Sequence, residues 1–429
     1  MPTDPILRRL RGAAALTLTA TVLTACGPDA TPAQPAAPTD DATHRGHAAA
    51  DAATPTEQRR PVPRLVTTYD GGLLVLDAES LEQVADIPLD GYNRLNPVGD
   101  DRHLAVSTTG GFQILDVGTW GDEHGDHAHH YTAPPTLTGG ALDAEIPGHV
   151  VVHDGRTAFF DDGTGRITVV DSRKASAPDA DARVLDSAHA HHGVAVGGDD
   201  GHVVSTLGDT DSRTGLLVRD SVGAEVTRTD KCPGVHGEAA ARDALVFGCE
   251  DGAVVYSGGR FSKLEAPDAY GRIGNQAGSP VSAVVLGDYK TDENAELERP
   301  ERVSLMDTEE LTLRLVDLPA SYSFRSLGRG PQGEALVLGT DGRLHVIDPD
   351  AGDLVRSIDV IDPWTEPVEW KDPRPTLYVR GGTAYITEPV ARRVLSVDLA
   401  TGAIVADATL PHAPDELTGV GGDSPGGHS

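Results

Sequence analysis

The chain has 429 residues and a formal net charge of -31, and aromatic residues are only 4% of it. The charge argues against a nucleic-acid partner, whose phosphates need lysine and arginine, and the length exceeds one ordinary layered domain unless a repeat holds it in a single body. The 49 glycines and 30 prolines favour many short strands joined by turns over long helices.

Arg8, Arg9 and Arg11 make a positive start, and Ala13 to Ala25 is an apolar stretch too short for a mature membrane span. It ends Leu23-Thr24-Ala25-Cys26-Gly27, which resembles a bacterial lipobox. On that reading residues 1–25 are a lipoprotein signal peptide, and Cys26 is the lipidation site. The mature protein is then extracytoplasmic and anchored to the cell membrane by lipid. Residues 26–60 are rich in Ala, Pro, Thr and Asp and cannot bury enough apolar surface to offset ordering entropy, so they are expected to be a disordered tether. Within it His44 and His47, flanked by Asp41 and Asp51, either collect a metal transiently or are incidental.

From residue 61 a unit recurs: a glycine turn, an apolar run and an Asp or Ser. Its marks end at Asp77, Asp116, Asp171, Asp220, Ser257, Asp307, Asp348 and Asp398, at intervals of 37 to 55 residues. That is the spacing of four-stranded propeller blades. After several marks a turn leads to a second run, as in Asp348 through Gly352 to Leu354–Ile358, the pattern of an outer hairpin in each blade. The fold class is therefore all-β: a β-propeller of eight four-stranded blades, with seven as the alternative. It spans residues 61–417, and 418–429 are expected to be a disordered tail.

The first strand of each blade lines the central channel, so residues that open those strands converge at one mouth. His149, His192 and His236 stand 22, 28 and 21 residues before the marks of blades three, four and five. The corresponding slots hold Asn96 in blade two, Ser326 in blade seven and Thr376 in blade eight. Blade four also carries a longer insert, Gly208–Thr214. Three imidazoles on one arc supply most of a tetrahedral zinc site. Glu238, two residues after His236 and so on the same face of a regular strand, is the first candidate for the fourth ligand. His153, His189 and His191 are second choices. Imidazole must be neutral to ligate, so binding is expected to weaken as pH falls.

Behind the second mark lies Gly121-Asp122-Glu123-His124-Gly125-Asp126-His127-Ala128-His129-His130. Four histidines with three acids suit zinc first, then copper or nickel. His124, His127, His129 and His130 are expected to form a mobile loop that acquires metal. Cys232 and Cys249 flank His236, and an exported chain with two remaining thiols pairs them, fixing the loop that carries the histidine. Asp288–Arg302 is expected to be an acidic loop, and His412 and His428 carry no role.

The signal segment, the histidine-rich stretch, the propeller pattern and the pieces GHVVVHDGRTAFFDDGTG, HHGVAV and CPGVHGE resemble the AztD-type extracytoplasmic zinc metallochaperones over about residues 62–415. The resemblance implies a non-enzymatic protein with Zn(2+) as its ligand, passed on to the solute-binding protein of a zinc ABC importer. It implies a tight site at His149, His192 and His236 and acquisition or handover at His124, His127, His129 and His130. The lipobox departs from a freely diffusing member of that family. Two other classes remain open at this level. One is a metal-dependent propeller hydrolase or lactonase, against which stands the absence of a nucleophile motif such as G-x-S-x-G. The other is a protein-interaction propeller with incidental histidines.

Overall fold

The computed structural model describes residues 54–125, 127–178 and 181–423. The signal segment, Cys26, His44, His47 and His428 lie outside the described residues. Eight sheets follow one another along the chain, each with four antiparallel strands and the fifth with a short parallel addition at Gly271–Arg272, which fits eight blades. Blade two, for example, runs from the channel outward as Arg94–Pro97, His103–Thr108, Gly111–Asp116 and Thr136–Asp143.

Every recurrent mark sits at the end of a third strand or, for Asp220, one residue past it, from Gly72–Asp77 to Arg393–Asp398. The central residues of these strands are buried, as the apolar runs require. The terminal aspartate caps the turn that follows. Asp77 Oδ1 accepts from the amides of Glu79 and Ser80, Asp348 Oδ1 from those of Asp350 and Ala351, and Asp398 Oδ1 from that of Thr401. This side-chain-to-backbone bonding is why an aspartate recurs where the chain reverses.

Eight apolar clusters hold the blades together, each lying chiefly between neighbouring blades. Leu65, Leu74 and Leu76 of blade one pack against Tyr385 and Val394 of blade eight, which closes the ring. Closure is also made by the chain ends. Leu417–Val420 pairs with Arg64–Tyr69 as the innermost strand of blade one. The expected tail boundary at 418 is thus corrected: the propeller runs through Val420. Just before that strand, Glu416 accepts from the Leu95 amide at 2.7 Å and from Arg94 Nε at 3.0 Å, while Asp415 pairs with Arg325 of blade seven.

The tether boundary also moves. Thr56–Gln58 is a strand, paired antiparallel with His127–Thr132. The histidine-rich stretch is itself a hairpin, Thr119–His124 with His127–Thr132, inserted between the third and fourth strands of blade two. At its base Trp120 stacks on Tyr131 and lies under the Arg102 guanidinium, 3.9 Å from the ring centre.

Candidate metal centre

His149 lies in Pro147–His153, His192 three residues before Ala195–Gly197, and His236 at the start of His236–Ala241. These are innermost strands of adjacent blades, and all three histidines meet. The Nε2 atoms of His149 and His192 are 3.3 Å apart, and those of His192 and His236 are 3.2 Å apart. Four ligands about 2.0–2.1 Å from a tetrahedral zinc stand about 3.3–3.4 Å from each other, so the imidazoles are already spaced for the ion. All three offer a ligand atom within 4.8 Å of the others.

The far sides of the rings fix which nitrogen is free. His192 Nδ1 lies 2.6 Å from Asp162 Oδ2, and His236 Nδ1 lies 2.7 Å from the Gly274 carbonyl. Both partners can only accept, so both Nδ1 atoms carry the proton and both Nε2 atoms keep a lone pair for metal. Asp162 is itself held, since its Oδ1 accepts from the Gly193 amide at 3.2 Å. The Gly274 amide donates to buried Asp288 at 2.6 Å. Burial, then the charges of His192 and His236, push His149 well below the usual histidine range. Burial also lowers His236 to about 3. These two rings are neutral at physiological pH, the form that ligates.

Glu238 does not join them. Gly237 takes φ +68°, and the strand register shifts between His236 and Glu238. This bulge breaks the two-residue alternation that would have placed both side chains on one face. A Cβ at Gly237 would lie 2.4 Å from Gln276 Oε1, so only glycine fits the bend. Burial raises the Glu238 carboxyl to about 8. None of the second choices, His153, His189 and His191, is among the converging donors either. His191 is buried and bonds Thr206 Oγ1 and the His189 carbonyl, and His153 pairs with Asp154 at 3.1 Å. Cys232 and Cys249 form a disulfide at the root of the His236 loop, with Cα atoms 5.0 Å apart.

The hairpin is a second donor cluster. Cross-strand pairing places His124 opposite His127 and Asp122 opposite His129, so these four share a face. The Nε2 atoms of His127 and His129 are 3.2 Å apart, and the His124 ring centre is 5.8 Å from that of His129. His130 pairs across from Gly121 and belongs to the other face. His129 Nδ1 bonds Glu57 Oε1 at 2.8 Å, a carboxylate that reasoning from the sequence passed over because it lies in the supposed tether. The first strands begin at the histidine mouth, whereas third strands end at the opposite face. The hairpin, inserted after a third strand, is therefore on the far side of the ring from the triad, and the expected loop takes the form of a paired two-stranded hairpin.

A β-propeller with three converging imidazoles at one channel mouth defines the class: a ring that offers nitrogen donors, of the kind that suit a transition-metal ion, without sulfur. Over 310 residues the chain is 27% identical to the zinc chaperone AztD of Citrobacter koseri, covering 70% of this chain and 72% of that protein. The crystal structure of Citrobacter koseri AztD shares the fold with a TM-score of 0.73 at 24% identity, over 84% of this chain and 98% of that one. Its apo structure gives 0.72 at 23%, over the same shares. The dihydro-heme d1 dehydrogenase NirN follows at 0.52 and 13%, over 83% of this chain and 74% of that one, a likeness of fold alone. No family model matches the chain.

Proposed function

We propose that this protein is a non-enzymatic zinc metallochaperone, held outside the cytoplasm by a lipid on Cys26. It binds zinc at His149, His192 and His236 and hands it to the solute-binding protein of a zinc ABC importer. The observation that carries the reading is the convergence of three Nε2 atoms, two of them oriented by Asp162 and Gly274. Similarity to a protein named as a zinc chaperone supports it. The site sits at an open mouth, where His192 is exposed and a docking partner can replace ligands one at a time.

The hairpin serves as a separate acquisition site. Placed on the opposite face, it does not relay zinc to the triad within one molecule. A hydrolase would place its metal over an apolar substrate pocket, but the cavity beside His192 is lined mostly by polar residues, with Asp209, Asp211, Asp230 and Glu250 among them. Transfer tests the proposal. The zinc-loaded full chain is mixed with the apo solute-binding protein in the presence of excess chelator. Zinc arriving on the acceptor faster than it dissociates into chelator supports direct handover, and arrival no faster than dissociation overturns it.

A further inference from the structure

The long insert of blade four stands beside the histidine mouth. It joins Val203–Gly208 to Arg213–Arg219. Asp209 Oδ1 accepts from the amides of Asp211 and Ser212 and holds the turn closed. The Gly234 amide donates to the Arg213 carbonyl at 2.8 Å, tying the insert to the disulfide-bonded loop that leads to His236. Between them lies a cavity of about 590 Å³ whose wall includes both His192 and Arg213.

The charges of Arg94, Arg213 and Arg272 are felt at the triad histidines in a chain whose net charge is -31. Arg94 is held by Glu416 at 3.0 Å, and Arg272 lies 3.6 Å from Glu250. The Arg213 guanidinium is half-buried and makes no hydrogen bond or ion pair among the described residues. Half-burying a guanidinium without a hydrogen-bonded partner is costly; the charges of Glu250 and Asp162 offset part of that cost, and Arg213 lines the same cavity as His192. The metal lacks a fourth ligand from the described residues. Both oxygens of Asp162 are engaged by His192 and Gly193, and the bulge turns Glu238 away.

We propose that a carboxylate from outside the chain supplies the fourth ligand to zinc at the triad, and that Arg213 is the residue that recognises it. This rests on the zinc reading of the triad. A guanidinium fork matches a carboxylate in shape and charge. Asp209, Asp211, Asp230 and Glu250 face the same cavity. Their charge disfavours a multiply charged anion more than a single carboxylate, whose one charge zinc and Arg213 together outweigh. The carboxylate comes either from a side chain of the accepting protein or from a free small acid.

Cobalt(II) tests this, because its visible spectrum changes with the fourth ligand. The full chain is loaded with cobalt and titrated with acetate, as wild type, Arg213→Met and Arg213→Lys. Acetate shifts the wild-type spectrum saturably, and Arg213→Met raises the half-saturating concentration by about ten- to a hundredfold, with Arg213→Lys between. A cobalt spectrum that ignores acetate, or that responds equally in wild type and Arg213→Met, overturns the carboxylate and leaves the triad standing. Failure to form a cobalt spectrum that His192→Ala abolishes overturns both. A second arm identifies the source, following transfer to the apo solute-binding protein. Slower transfer from Arg213→Met together with inhibition by acetate assigns the carboxylate to the partner. Unchanged transfer beside a positive acetate titration assigns it to a small acid.

Discussion

The two histidine clusters differ less in their donors than in what holds the donors still. At the channel mouth each imidazole stands at or just before an inner strand of a different blade, and two are turned by fixed acceptors. On the hairpin the imidazoles share one ribbon of two strands, and Glu57 from a three-residue strand orients His129. Close spacing of nitrogen atoms, 3.2 to 3.3 Å in both places, is thus not the measure of a tight site. Rigid support is, because a ligand that must be ordered on binding gives up part of its affinity to entropy.

The comparison breaks most visibly at the disulfide, which only the triad face has. Replacing Cys249 with Ala is expected to lower stability by about 3 kcal/mol, the value for a closed loop of this size. Denaturant unfolding measures it, and zinc affinity at the triad falls with it while the hairpin is unaffected. Next come the orienting carboxylates. Asp162→Asn is expected to weaken zinc binding at the triad by about 10–100-fold. Glu57→Gln, on the less rigid hairpin, costs a few-fold at most, and chelator competition reads both. Equal losses would mean that support is not what separates the sites.

Acidity sharpens the contrast further. His236 is lowered to about 3 from an ordinary 6.5. The stability of the metal-free fold is therefore intact above about 6.5 and lost as pH falls toward 3. Between pH 7.5 and 5.5, three ordinary imidazoles would lose about a thousandfold in zinc affinity to proton competition. The triad is expected to lose markedly less, because His149 and His236 are already held neutral. The smallest effect on zinc belongs to Glu238→Gln, with affinity within about twofold of wild type. Its effect on stability is larger. Burial holds the folded carboxyl at about 8, above its ordinary 4.5, so stability is intact below 4.5 and lost as pH rises to 8. The glutamine variant is accordingly more stable at pH 8, on the order of 1–3 kcal/mol, as thermal unfolding across pH would show.

Much of this was legible before any coordinates. The recurrent aspartates mark third strands because a carboxylate caps the same turn in blade after blade, a local cause visible in local sequence. His149, His192 and His236 were legible because a propeller converts equal positions in neighbouring repeats into one place. Glu238 misled because alternation holds only for a regular strand, and Gly237 with its positive φ is where regularity ends. Each ligand is beside a glycine, at Gly148, Gly193 and Gly237, and that neighbour was the available warning. Asp162 stood in the stretch FFDDGTG without any cue linking it to a histidine 30 residues away. The pairings of Leu417–Val420 and Thr56–Gln58 join segments far apart in the chain, and no local pattern announces them.

The central claim is that the triad is the tight zinc site and the hairpin is not. The most direct test is the zinc content and chelator-competition affinity of the full chain beside two triple alanine variants, His149/His192/His236 and His124/His127/His129. About one tightly held zinc per chain, lost in the first variant and kept in the second, is the predicted result. Tight zinc that survives loss of the triad, or that disappears with the hairpin alone, would contradict the account.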